Sequence, residues 1–279
     1  MSGAALRPER PSPQAPLQVG QTFVSAQDRL AQCWRLWAFM VLGATAINYL
    51  LLAPFGFAAH TTLRTALVLL TSESYLDSWA PMLKASDHLL AHPGGSSFYQ
   101  AIFFEQRVKF QYPLTSLLIL DIPRRLLEMD PMRVVKGLLL LSRLAVPAIG
   151  LTFALLMKNA LAETQPAKGP ADGLRNGWIA LGVGVLSAAL FYPIAYSEVL
   201  GQIQTLMTLL AALSLLAWQR GAKVTSGLLL GLCCVVKPHW AVVVLWALLR
   251  RQWRFAIAAA AVGVVCLLIA FAMYGVGNV

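Results

Sequence analysis

Charge is scarce in this chain. Asp, Glu, Lys and Arg make up 12% of its 279 residues, about half of the roughly 25% usual in a soluble domain. That shortage excludes an ordinary water-facing globule. Cysteine is scarce too: Cys33, Cys233, Cys234 and Cys266 are the four, none in a C-x-x-C spacing. Neither a disulfide framework nor a cysteine zinc site is indicated. No repeat of about 20–50 residues is present, which excludes a solenoid or propeller. Acidic residues number 12 against 22 basic ones, for a net charge of +10. The surplus does not indicate nucleic-acid binding, because no basic patch is interleaved with exposed aromatics.

What is abundant is hydrocarbon. Hydrophobic residues reach 58% and the mean hydropathy is +0.66. Several runs approach the roughly 20 apolar residues that cross a bilayer. The expected fold is all-α, a polytopic transmembrane helix bundle, because lipid tolerates no unpaired backbone groups. Expected spans are Leu36–Phe57, Val134–Met157, Gly177–Tyr196, Ile203–Trp218, Val224–Val236, Trp240–Leu249 and Phe255–Tyr274. Residues 1–35 read as a disordered cytoplasmic tail, with Pro8, Pro11, Pro13 and Pro16 against folding. The tail is too long and too polar for a cleaved signal peptide, so the first apolar run is expected to remain as an anchor. Residues 36–279 read as the membrane domain.

One apolar stretch, Tyr112–Leu120, is too short to cross, because Asp121, Pro123, Arg124 and Arg125 follow at once. If it does not cross, the basic loops Lys158–Arg175, Arg220–Lys223 and Arg250–Arg254 share the cytoplasmic side with the N-terminus, as the positive-inside rule asks. The opposite, extracytoplasmic face of the inner membrane then holds three polar clusters: the loop 59–136, the Glu198–Gln204 turn and Lys237-Pro238-His239.

The loop 59–136 is the richest in chemistry. It carries Glu73, Asp77, Asp87, Glu105, Asp121, Glu128 and Asp130, seven of the twelve acidic residues. Leu76, Trp79, Leu83 and Leu90 recur near a helical period, predicting an amphipathic helix in the interface plane. Ser78 is its expected N-cap, and Pro93-Gly94-Gly95 its stop. Asp77 then stands near the positive end of that helix, where it reads either as a solvated charge or as a general base for an acceptor hydroxyl. His88 and His92, four apart, would need Asp87 or Glu105 to complete a metal site, and no metal is expected. Phe98–Pro113 interleaves aromatics with Glu105, Arg107 and Lys109. It reads as an aromatic belt or as a surface where the two cations pair with phosphate. Asp121, Glu128 and Asp130 are expected to be interfacial. Glu198 and Gln202, four apart, would share a helical face. Lys237 and His239 end an apolar helix on the base-poor side, which points to a phosphate-bearing ligand or to snorkelling.

Together these residues resemble a known family. Asp77 after the first helix, then Tyr99, then Phe110-Gln-Tyr-Pro113 match its first half. Gly201-Gln202 opening a helix, Ser226-Gly-Leu-Leu-Leu-Gly231 running into Val236-Lys-Pro238, and Leu249-Arg-Arg-Gln-Trp253 match its middle. The chain is similar to glycosyltransferase family 87, the polyprenol-phosphate-mannose-type membrane enzymes of GT-C type. Leu114 departs from the family's Tyr-Pro-Pro. Members are usually longer, which implies a truncated member or a minimal module.

The resemblance implies a hexosyltransferase that takes a sugar such as mannose from a polyprenyl-phosphate donor, without nucleotide or other cofactor. The acceptor would be a lipid or glycan hydroxyl. Asp77 would be the base, and Lys237 with Arg107, Lys109 and His239 would hold the donor phosphate. Gln202, Glu198, Tyr99, Tyr112 and Glu105 would line the cavity, with Asp87 in support. Two other classes stay open: a secondary transporter, disfavoured by the lack of a repeat, and a non-catalytic lipid-binding protein.

Overall fold

The computed structural model describes residues 26–52, 54, 74–92, 98–162 and 171–275, all helix, turn or loop without strand. The proline-rich tail up to residue 25, Glu73, the Pro93-Gly94-Gly95 stop, the side chain of Cys33 and residues 163–170 of the first basic loop lie outside the described residues. The helices are α1 (Ala26–Leu52), α2 (Trp79–Ala91), α3 (Leu118–Leu126), α4 (Pro131–Ala162), α5 (Ala171–Leu190), α6 (Tyr192–Leu200), α7 (Gln204–Gln219), α8 (Lys223–Val236), α9 (Ala241–Leu249) and α10 (Trp253–Tyr274). A π-helical turn at Gln100–Glu105 and a 3-10 turn at Leu114–Leu117 fill the segment between α2 and α3.

The helices pack as a chain of neighbours: α1 on α5, α5 on α4, α4 on α7, α7 on α8, α8 on α10 and α10 on α9. The Ser226–Gly231 motif explains the α8–α10 contact. A Cβ on Gly227 would stand 2.2 Å from the Phe255 carbonyl oxygen, and one on Gly231 would stand 2.8 Å from that of Ala259. Small residues four apart let two backbones approach this closely.

Two helices, Pro131–Asn159 and Trp253–Tyr274, are long and apolar enough to cross a bilayer. The pair Leu181–Leu190 and Tyr192–Leu200 passes the same test together but bends by 58°. The expected continuous span Gly177–Tyr196 is thus broken at Phe191. Pro193 sits at the start of α6, where a missing N–H costs nothing. Arg35–Leu51, Gln204–Gln219, Lys223–Val236 and Pro238–Leu249 are shorter apolar helices. α1 begins at Ala26 rather than Leu36, so the helix reaches into the expected tail.

α2 packs one face against the bundle. Trp79, Met82, Ala85, Ser86 and Leu89 of α2 are buried. Trp79, Met82, Ala85 and Leu89 join one core with Phe110, Leu117, Leu120, Ile203, Met207, Val236 and Tyr274. Burying each large apolar side chain stabilises by about 1.5–3 kcal/mol, so α2 is fixed to the bundle by its inner face. Asp121 corrects the expectation of an interfacial carboxylate, because it is fully buried. Ser86 Oγ and Tyr274 Oη donate to it, the latter at 2.7 Å, and Arg124 lies 3.5 Å away. Arg124 also donates to Ser86 and, at 2.7 Å, to Asp87. This clasp ties α2 and α3 to the far end of α10. Tyr274→Phe should destabilise the protein by about 1.5–3 kcal/mol, the range for a hydrogen bond to a charged group. Unfolding of the detergent-solubilised protein measures this, and a loss under about 0.5 kcal/mol would show that the bond contributes little.

Candidate functional site

The site is built around the turn between α6 and α7. Gly201 ends α6 in the left-handed region, with φ of 65°. Its N–H bonds to Glu198 O at 3.2 Å, and that of Gln202 to Ser197 O at 2.9 Å, the double bond of a Schellman end. The carbonyls at the end of α6 receive residues 75–77 of the loop. Tyr75 N–H donates to Val199 O at 2.9 Å and Asp77 N–H to Leu200 O at 3.0 Å. The approach is so close that a Cβ on Gly201 would lie 1.7 Å from Tyr75 O. Glycine is required there for space as well as for φ.

That docking sets two polar pairs. Gln202 Nε2 donates to Asp77 Oδ2 at 2.8 Å. Lys237 Nζ, at the break between α8 and the Pro238–Trp240 turn, donates to Gln204 Oε1 at 2.6 Å. The carboxylate and the ammonium are therefore held by two glutamines with one residue between them. Ile203, the residue between, is fully buried, and its N–H donates to Ser78 Oγ at 3.2 Å. Ser78 also pairs with the Tyr112 hydroxyl at 2.9 Å. Ser78 does occupy the N-cap position of α2, but its hydroxyl makes no cap bond; it braces the site instead. Thr115 Oγ1 donates to Val235 O at 2.8 Å, which fixes the segment after Tyr112 against the end of α8.

Electrostatics separates the roles. Asp77 is exposed at the rim. Burial raises the Tyr112 phenol above its ordinary pKa, with the neighbouring Asp77 charge adding to the rise. Tyr112 is therefore a neutral hydroxyl rather than a base at working pH. Burial likewise raises Tyr99, whose hydroxyl donates to the Tyr112 carbonyl at 3.2 Å. Burial lowers the pKa of Lys237.

The remaining expected site residues are placed elsewhere. Glu198 is buried and accepts a bond from Ser142 Oγ at 2.5 Å. Gly201 ends the helix between Glu198 and Gln202, so the two do not share a helical face. His239 is exposed and stacks on Trp240. Glu105, Arg107 and Lys109 are exposed. Gln106 and Val108, the chain neighbours of Arg107 and Lys109, help line a shallow cleft of about 380 Å³ with Lys84, Asp87 and His88. His88 and His92 stack at 4.6 Å, and Gln106 bonds to His88 Nδ1 at 3.0 Å. No group of three or more metal-ligating residues occurs among the described residues.

A cavity of about 1000 Å³ adjoins the α6–α7 turn. α1 contributes Trp37, Val41 and Thr45, and α4–α7 supply the remaining walls, including Ile149, Phe153, Phe191 and Gln204. Among the described residues no lining residue is charged. Gln204 belongs both to this wall and to the Lys237 bond. Gln204 closes the expected Glu198–Gln204 polar turn, but its bond to Lys237, 33 residues away, has no local signal.

Apolar helices of membrane-crossing length fit a membrane protein, and Gln204 joins the cavity wall to Lys237. Residues 110–279 match glycosyltransferase family 87. This is more than half of the chain, and the protein belongs to that family; it is a glycosyltransferase. No curated protein and no solved structure matches it. Tyr112, Gln202, Gln204 and Lys237 fall within the matched stretch, whereas Asp77 precedes it and joins the site through Gln202 and the Leu200 carbonyl.

Proposed function

We propose that this glycosyltransferase moves a hexose such as mannose from a polyprenyl-phosphate donor to a hydroxyl of a lipid or glycan acceptor. The reaction takes place at the extracytoplasmic face of the inner membrane, in a bundle of about seven crossings of GT-C type. The observation that carries this reading is the α6–α7 turn, which holds Asp77 and Lys237 through Gln202 and Gln204 beside an uncharged cavity. The cavity suits a long hydrocarbon chain, and Lys237 just beyond its wall suits the phosphate at the end of that chain.

Asp77 takes the proton of the acceptor hydroxyl. The acceptor oxygen bonds to the anomeric carbon as the bond from that carbon to the phosphate oxygen breaks. The leaving phosphate keeps the electron pair, and Lys237 stabilises the charge gathering there. One carboxylate acting on one displacement gives inversion at the anomeric carbon. Gln202 holds one carboxylate oxygen and leaves the other for the proton.

The test uses membranes containing the protein and radiolabelled polyprenyl-phosphate hexose. Wild type transfers label to a lipid or glycan fraction. Lys237→Ala raises the donor KM by about 10- to 100-fold, the equivalent of a charged hydrogen bond of roughly 1.5–3 kcal/mol. Transfer from a nucleotide sugar alone, or a donor KM unchanged by the substitution, would overturn the reading.

A further inference from the structure

Lys237 is not left to find its own position. Its ammonium carries three N–H donors, and one of them is taken by Gln204 Oε1 at 2.6 Å. Gln204 is partly buried in the first turn of α7, between the buried Ile203 and Thr205. Its carbonyl is thus aimed from a rigid element. The partner is also neutral. A carboxylate there would hold the ammonium equally well and cancel its charge. A carboxamide fixes the direction of the ammonium and leaves the full charge and two N–H donors for an anion. Because Gln204 is also part of the cavity wall, the ammonium is fixed beside that wall.

We infer that Gln204 is a positioning residue for the donor phosphate. It orients Lys237 as an uncharged partner beside the cavity wall and thereby sets where the phosphate of a lipid-linked donor is held. The inference rests on the reading of Lys237 as the phosphate ligand. It goes beyond that reading in requiring neutrality at position 204. Gln202 complements it on the same turn: one glutamine aims the ammonium and the other aims the carboxylate of Asp77. The spacing of the two glutamines fixes the distance between the phosphate and the base.

Gln204→Glu and Gln204→Ala separate positioning from packing. Glutamate matches glutamine in shape and would form an ion pair with Lys237. If Gln204 served only the fold, Ala would lower the Tm and leave the donor KM as in wild type. The expected result is the reverse. Gln204→Glu keeps or raises the Tm yet increases the KM for a polyprenyl-phosphate hexose at least tenfold, with a smaller change in kcat. Gln204→Ala also raises that KM, by losing the orientation rather than the charge. The KM for the acceptor stays within about twofold in both variants, a change of roughly 0.4 kcal/mol. A Gln204→Glu protein with wild-type donor KM overturns the inference. Lys237→Ala, assayed alongside, distinguishes the two failures. If it raises the donor KM while both Gln204 variants do not, the positioning role alone falls. If Lys237→Ala changes nothing, the phosphate reading falls first.

Discussion

Asp77→Asn is expected to abolish most sugar transfer, by about 100- to 10,000-fold, the usual contribution of a general base. Asparagine has nearly the same volume, and its carbonyl still accepts the 2.8 Å bond from Gln202. The backbone bond from residue 77 to Leu200 is also kept. Insertion, Tm and donor binding should therefore stay close to wild type while kcat falls. Asp77→Ala should be equally inactive and slightly less stable. The measurement is single-turnover transfer with saturating donor. A rate within a few-fold of wild type would sink the assignment of the base. Tyr112, the nearest alternative through Ser78, has its pKa raised by burial and is a poor substitute.

Gly201→Ala is expected to remove activity by a different route. The left-handed conformation costs a residue with a Cβ about 1–2 kcal/mol. The larger problem is that the new carbon would stand 1.7 Å from the Tyr75 carbonyl. Backbone cannot move aside as a flexible side chain would, so residues 75–77 must lift off α6. The bonds from Tyr75 and Asp77 to Val199 and Leu200 are then lost together, and Asp77 leaves the site. Limited proteolysis should cut near residues 74–78 in the variant and not in wild type. Transfer should fall as far as in Asp77→Asn. Wild-type resistance together with wild-type transfer would mean that the loop docks by other means.

The sequence revealed the parts of this site that carry local signals. Lys237 is marked by an abrupt stop, with an apolar run ended by Lys-Pro. Gln202 is marked by the glycine before it, which the left-handed end of α6 requires. Asp77 is marked by its place just ahead of a periodic helix. The long-range parts were not legible. Asp121 reads as interfacial because its own neighbours are charged, yet its partners Ser86 and Tyr274 lie 35 and 153 residues away. Gln204 is one glutamine among several until α8 ends beside it. The break at Phe191 had a signal in Pro193 that the apolar run obscured, since hydropathy sums over a bend. Ser78 has the right residue type for a cap, but Ile203 and Tyr112 take its hydroxyl instead.

The cavity beside α1 has a consequence for kinetics. Six of its lining residues, Trp37, Ala44, Phe153, Phe191, Tyr192 and Pro193, are more than a third exposed, so the cavity reaches the outer surface of the bundle. On the proposed reading a lipid-linked donor enters there from the bilayer, and its effective concentration is its mole fraction among the lipids. Adding unlabelled phospholipid to proteoliposomes at constant bulk donor should therefore slow transfer, as surface dilution does, while adding buffer should not.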